Sequence, residues 1–326
     1  MTGPSFRGRS GARNAVRVTR RAVIVAAGIV VAAGSVSREV RAGVTVSDTW
    51  TPSVTVPHAK TDGGLALAQY DGLLYAAWLG QSSPYHVYYS AFNGSTWTAQ
   101  RSVPTGVSSP GVGPALAVYN GDLYVVWGGK SSHRLWYSAF NGAAWTSQAR
   151  IPSALTEATP ALGSYNGSLY LLWTGQSGSK VWYSSFNGTT WTAQATVPSA
   201  VSYADDAGVA LAAYDTQLFA SWGGPSDAIW YASFNGTKWS TPGSFASQWL
   251  DGPALAVNDG LLYAAWIDFN SADVFYAAFD GSGWTTGTPI PSASSVSGPA
   301  LASYESALFA AWNPVSVAVI DYSSGP

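Results

Sequence analysis

Residues 114–145 read PALAVYNGDLYVVWGGKSSHRLWYSAFNGAAW, and near-copies of this stretch recur along the chain. Its closing Trp145 has counterparts at Trp50, Trp97, Trp191, Trp239 and Trp284. Trp127, which ends LYVVW, has counterparts at Trp78, Trp173, Trp222, Trp266 and Trp312. A period of about 46 residues marks an array of small supersecondary units, each unable to bury its apolar faces alone.

One copy resolves into four strands. Pro114 to Tyr119 is the first, Asn120-Gly121 a hairpin turn, and Leu123 to Trp127 the second. A loop follows, then Arg134 to Phe140, the turn Asn141-Gly142, and a fourth strand from Ala144 to Ile151, ended by Pro152. Neither face alternates cleanly with polar residues, as expected when each sheet lies between two others. Four antiparallel strands in each repeat predict an all-β, six-bladed β-propeller. Five complete blades fall at about 64–103, 113–151, 159–197, 208–245 and 252–290. The sixth has three strands in 298–322 and lacks its fourth, whereas residues 45–56 around Trp50 supply a fourth strand with nothing before it. Pairing strand 45–56 into the C-terminal blade closes the ring and removes the open sheet edge.

Ahead of the repeats, residues 1–43 read as an export signal. Arg7, Arg9, Arg13, Arg17, Arg20 and Arg21 precede the apolar run Ala22 to Gly34, which is too short for an ordinary membrane span. Arg20-Arg21 resembles a twin-arginine signal, and an uncleaved N-terminal anchor is the other reading. The expected domains are therefore 1–43, a leader, and 44–326, the propeller, and the expected location is secreted, with no membrane span in the mature chain.

The chain has no cysteine, which removes disulfides, thiolate metal sites and cysteine nucleophiles together. Residues 43–326 carry seven basic and sixteen acidic residues, which gives no footprint for nucleic acid. Neither a metal nor a cofactor is expected. His58, His86 and His133 stand at non-equivalent positions. Asp268, Asn270 and Asp273 lack the ligand pattern of a calcium loop and read as a solvated one. No serine sits in a nucleophile elbow, and no carboxylate pair has a spacing that argues for glycoside hydrolysis. Past the leader only Arg101, Arg134 and Arg150 remain as arginines, at differing repeat positions, so three convergent guanidiniums of the sialidase kind are not expected. The Asn-Gly-Ser/Thr triplets at Asn93, Asn166, Asn187 and Asn235 read as turns rather than glycosylation acceptors.

With both hairpin turns of each blade on one rim, the opposite rim carries the variable loops, and loops on a rigid scaffold carry function. There Trp127 and Trp136 stand near Lys130, His133, Arg134 and, from the next connection, Glu157. Indole faces suit the C–H face of a pyranose and the charged groups suit its hydroxyls, although a tryptophan repeated in every blade also reads as inter-blade core. A second candidate group lies where the repeat breaks, at Tyr203, Asp205, Asp206, Trp249 and Asp251, and there a protein contact is as good a reading as a saccharide.

The repeats PALA-x-Y-x-G-x-LY-x-x-W and WYS-x-FNG-x-x-W resemble those of exported bacterial six-bladed propeller lectins, over residues 45–322. The hairpin Ser138 to Trp145 resembles the Asp-box of sialidase-type propellers, with Phe140 where that box has its Asp; the resemblance implies a structural role. The chain is similar in outline to six-bladed fucose-binding lectins, whose sites lie between blades and use aromatic, Arg and Glu side chains. Leader and propeller together resemble the lectin subunits of actinobacterial umbrella toxin particles. These resemblances imply a secreted, non-catalytic protein that binds cell-surface or polymeric glycan. The alternatives are a protein-interaction scaffold or assembly subunit, with a protein partner at the loop-rich rim, and, third, a sialidase-like hydrolase.

Overall fold

The structure, a computed structural model, describes residues 49–326 except 62, 131, 177–178, 204–207, 248 and 250. The expected leader, residues 1–43, lies outside the described residues. The rest forms six four-stranded antiparallel sheets, five running in chain order from the axis outward and the sixth taking its outermost strand from Val54–Thr55. Adjacent inner strands touch one another around the ring, so the sheets are the blades of a six-bladed propeller.

The ring closes as the split repeat requires. Val54–Thr55 lies against Asp321–Gly325 with Val54 opposite Tyr322 and Thr55 opposite Asp321. Around that short ladder, Thr51 N–H donates to Ser324 O and Val56 N–H to Ile320 O, both at 2.8 Å. Thr55 Oγ1 donates to Asp321 Oδ1 at 2.6 Å. The third strand of the last blade starts later than the sequence suggests, at Asp321, because the longer connection after Trp312 holds Pro314 and ends on Ile320, which is fully buried.

The fourth strands also begin and end later than expected. In blade two the outer strand is Ala149–Leu155, not Ala144 to Ile151. Beside the turn, Ser138 Oγ donates to Thr146 O at 2.8 Å and Thr146 Oγ1 accepts from Ala139 N–H at 3.0 Å, so side chains replace the regular ladder there. Pro152 does not end the strand, because it lies on the outer edge where a missing N–H breaks no ladder bond. Instead Ile151-Pro152-Ser153-Ala154 forms a bulge with Ser153 at φ 59°. The same bulge occurs at Val56-Pro57-His58-Ala59, Val103-Pro104-Thr105-Gly106, Val197-Pro198-Ser199-Ala200 and Ile290-Pro291-Ser292-Ala293, where φ at the third residue is 59–61°. Each bulge turns its first residue inward: Val56, Val103, Ile151, Val197 and Ile290 are all 1% exposed.

These residues receive the tryptophans of the next blade. Trp127 and Trp136 pack on Val87 and Val103 of blade one. Trp173 and Trp182 likewise pack on Leu135, Ile151 and Ala154 of blade two. Burying an indole of about 200 Å² at about 25 cal/mol/Å² contributes up to roughly 5 kcal/mol, so the repeated tryptophan dominates each inter-blade seam.

Blade four lacks the proline-bearing bulge and instead shifts register between Ile229 and Trp230. Its outer strand is Gly243–Ser247, Phe245 stacks on Trp284 at 4.0 Å, and Trp249 lies buried over Gly223, where any added Cβ would strike the indole.

Around the axis lies a channel of about 140 Å³ lined mostly by small and apolar residues such as Ala66, Ala115, Ala161 and Ala254. At the end where the inner strands begin, a collar narrows it: Gly64, Gly113, Thr159, Gly208, Gly252 and Gly298. A Cβ on Gly113 would stand 2.6 Å from Gly64 Cα, and one on Gly252 2.5 Å from Gly208 Cα, so backbone meets backbone there and only glycine fits.

Candidate functional site

The hairpin turns confirm which rim is which. Between first and second strands, Asn120 and Gly121 have φ of 49° and 83°, as a type I′ turn requires. Between third and fourth strands the asparagine side chain makes the turn: Asn93 Oδ1 accepts from Ser95 N–H and Thr96 N–H, and Asn187 and Asn235 do the same. In blade five Asp280 holds this place, and hydrogen bonds from Ser282 and Gly283 bring its carboxyl down to about 2.

At the opposite rim each third strand starts beside the end of the second, and the residue facing the repeated tryptophan is Tyr88, Trp136, Trp182, Trp230, Phe275 or Asp321. A residue two places earlier lies on the same sheet face. In blades one, two and three that residue is His86, Arg134 or Lys180, so three successive blades present a cationic or protonatable group next to an aromatic ring. Arg134 and Lys180 are exposed, His86 half-buried, and the three rings half-buried. Lys180 Nζ stands 5.9 Å from the Trp182 ring. His86 and Tyr88 meet edge to face with centroids 6.1 Å apart. The glycine beside each ring makes room for it: a Cβ on Gly129 would stand 2.7 Å from Trp136 Nε1, and one on Gly175 2.8 Å from Trp182 Nε1. In blades four, five and six the equivalent residues are Ala228, Asp273 and Val319.

The sequence candidates separate accordingly. Trp127, 1% exposed, is seam core and offers no face to a ligand. Trp136 and Arg134 share one face at the rim, and Lys130 is exposed on the loop before them. Glu157 Oε1 accepts from Gln176 Nε2 at 3.4 Å and lies 3.5 Å from His133 Nδ1, so Glu157 stands between the rims of blades two and three. Tyr203 is 66% exposed, whereas Trp249 is buried in the seam between blades four and five, beside Ile229 and Trp266. Asp251 turns to the axial channel, where its carboxylate accepts from the N–H groups of Gly252 and Gly298. Asp205 and Asp206 lie outside the described residues. Asp268 Oδ1 accepts from Asn270 and Ser271 N–H, an ordinary loop turn. Among the described residues no three His, Asp or Glu side chains are grouped to hold a metal ion, and no helix is long and apolar enough to cross a membrane. Sequence reasoning missed His86, Tyr88, Lys180 and Trp182. The available signal was a basic residue two places before the aromatic that opens the third strand.

No protein-family model and no curated protein sequence matches the chain. Solved structures do match in fold. The fungal Aleuria aurantia lectin, described as a six-bladed β-propeller with a novel fucose recognition mode, has TM-score 0.60 and 14% identity over 83% of this chain and 93% of its own. SapL1 lectin in complex with alpha methyl fucoside has TM-score 0.62 and 13% identity over 84% and 96%. A Hadza microbial sialidase has TM-score 0.62 and 14% identity over 84% of this chain and 68% of its own.

Proposed function

We propose that this chain is a secreted, non-catalytic carbohydrate-binding propeller, with its sugar sites at the rim ends of the seams before blades one, two and three. The observation that carries this reading is the repeated pair of an aromatic ring and a basic side chain: His86 with Tyr88, Arg134 with Trp136, Lys180 with Trp182. A pyranose needs an apolar face to stack on and charged or amide groups for its hydroxyls, and each pair supplies both. The narrow axial channel offers small apolar walls and few side-chain donors, which suits a sugar poorly. Structural likeness to lectins solved with fucosides supports carbohydrate as the ligand class, with the sugar left open. Three weak sites spaced around one rim favour a multivalent surface or polymer, because avidity exceeds single-site affinity.

The leader supports secretion, and the similarity to lectin subunits of umbrella toxin particles supports membership of a secreted assembly. That second reading draws on blade four, whose broken repeat places exposed Tyr203 on the same rim as exposed Phe269 of blade five. A glycan array probed with the chain separates the two. Binding to a defined sugar class, abolished when Tyr88→Ala, Trp136→Ala and Trp182→Ala are combined, is the expected result. No signal on any glycan at high valency overturns the lectin reading and leaves the scaffold.

A further inference from the structure

The three arginines occupy different repeat positions, yet the strand register brings them to the two walls of one seam. Directly paired residues of adjacent antiparallel strands share a sheet face. Arg150 pairs with Trp136, and Arg134 lies two places before Trp136 on its strand, so both arginines share the face that Trp136 turns toward blade one. Arg101 pairs with Tyr89, and the Tyr89 ring meets Trp145 of blade two edge to face at 5.4 Å. Arg101 therefore lies on the face of blade one that looks back across the same seam. Tyr75, on that face too, is raised above its usual value by burial and by neighbouring Tyr70, Tyr89 and Asp71, and the charge of Arg101 partly opposes the rise. All three arginines are exposed, and among the described residues none has a carboxylate or side-chain hydrogen-bond partner.

The wider charge distribution sharpens this. Residues 43–180 carry six basic and five acidic residues, whereas residues 181–326 carry one basic and eleven acidic. An anion is favoured at blades one and two and repelled from blades four to six.

We propose that the seam between blades one and two binds an acidic sugar residue, one whose ring stacks on Trp136 and whose carboxylate or sulfate is held by Arg134, Arg150 and Arg101. This rests on the carbohydrate-binding reading and names the ligand class for one of its sites. Guanidinium forks match the planar oxygens of a carboxylate or the oxygens of a sulfate in a way that Lys180 or His86, in the neighbouring seams, does not. The ligand is a terminal or isolated acidic residue rather than a long polyanion, because a charged polymer crossing the rim meets the acidic blades. Nucleic acid is disfavoured for the same reason and lacks the net positive charge it requires.

The test is titration calorimetry of the full chain with methyl β-D-glucoside, methyl β-D-glucuronide and methyl β-D-glucoside 6-sulfate, at low and moderate salt. At least one acidic glycoside is expected to bind tenfold or more tighter than the neutral one, with the advantage shrinking as salt rises. The carboxylate and sulfate arms tell the two anions apart. Arg134→Ala and Arg150→Ala should each remove most of that advantage while near-ultraviolet circular dichroism stays unchanged. Arg134→Lys should restore part of it, and Lys238→Ala, exposed on the turn-bearing rim, should leave it intact. If the neutral glucoside binds as tightly as both acidic ones and the arginine variants bind all three unchanged, the acidic-sugar inference is overturned while carbohydrate binding stands. If none of the three binds and the glycan array is also blank, both readings fall.

Discussion

Blades two and four share inner strands of the same kind and part company at the outer edge. Both place a tryptophan at the end of the second strand and another opposite it, Trp127 with Trp136 and Trp222 with Trp230. Blade two then buries Ile151 through its bulge and opens its third strand with Arg134. Blade four lays Phe245 across to Trp284, fills the gap with Trp249, and has Ala228 at the cation position. The inner strands answer to every neighbour around the ring and cannot vary alone. The outer strand and the rim lie far from the axis and open to solvent, so chemistry can change there without loss of the ring.

The largest expected effect tests whether Trp249 stands in for the inward residue of the proline-bearing bulge that the other blades have. Trp249→Ala should cost about 3–5 kcal/mol and Ile151→Ala about 2–5 kcal/mol, both read from denaturant unfolding. A cost for Trp249→Ala well under 1 kcal/mol would mean that blade four needs no such filler. Next comes the collar, where the two blades differ in space rather than composition. Gly113→Ala drives a Cβ to 2.6 Å from Gly64 backbone and should cost about 1–3 kcal/mol. The nearest atom to a Cβ on Gly208 is 3.5 Å away, so Gly208→Ala should change stability by less than about 0.5 kcal/mol. Equal melting temperatures for these two variants would contradict the close backbone approach at Gly113.

At the rim the effects are on binding. Arg134→Ala should leave unfolding within about 0.5 kcal/mol of the parent, since the residue is exposed, and yet weaken acidic-glycoside binding. Ala228→Arg, which copies the blade-two pair beside Trp230, should add affinity for the same ligand, and no gain would show that aromatic plus cation is not a sufficient recipe. The smallest effect is in the turns. Blades two and four use Asn141 and Asn235 where blade five uses Asp280. A carboxyl lowered in the folded state contributes stability above its unfolded value near 4, and the contribution is lost as pH falls through about 2. Nuclear magnetic resonance titration should place Asp280 near 2, and Asp280→Asn should remove that small acid dependence without altering the turn.

The repeat made the ring, its closure and the rim legible from sequence, because Trp spacing and Asn-Gly turns act locally. Pro152 misled the reading of the outer strand. A proline signals a strand end unless the strand lies at an edge, and edge position is a tertiary fact. The arginine arrangement was hidden for a related reason. Arg101 stands four and Arg150 five places after the closing tryptophan of its blade, and an offset of one residue moves a side chain to the other face. Arg101 and Arg150 therefore look unrelated in the repeat and face each other across a seam in the fold. His86 and Lys180, by contrast, were readable by counting two places back from Tyr88 and Trp182.

The most direct measurement is a crystal structure of the chain soaked with methyl β-D-glucuronide. The account predicts the sugar ring against Trp136 in the seam between blades one and two, with its carboxylate toward Arg134, Arg150 and Arg101. The glycoside in the axial channel, or on the turn-bearing rim beside Asn120, would contradict it.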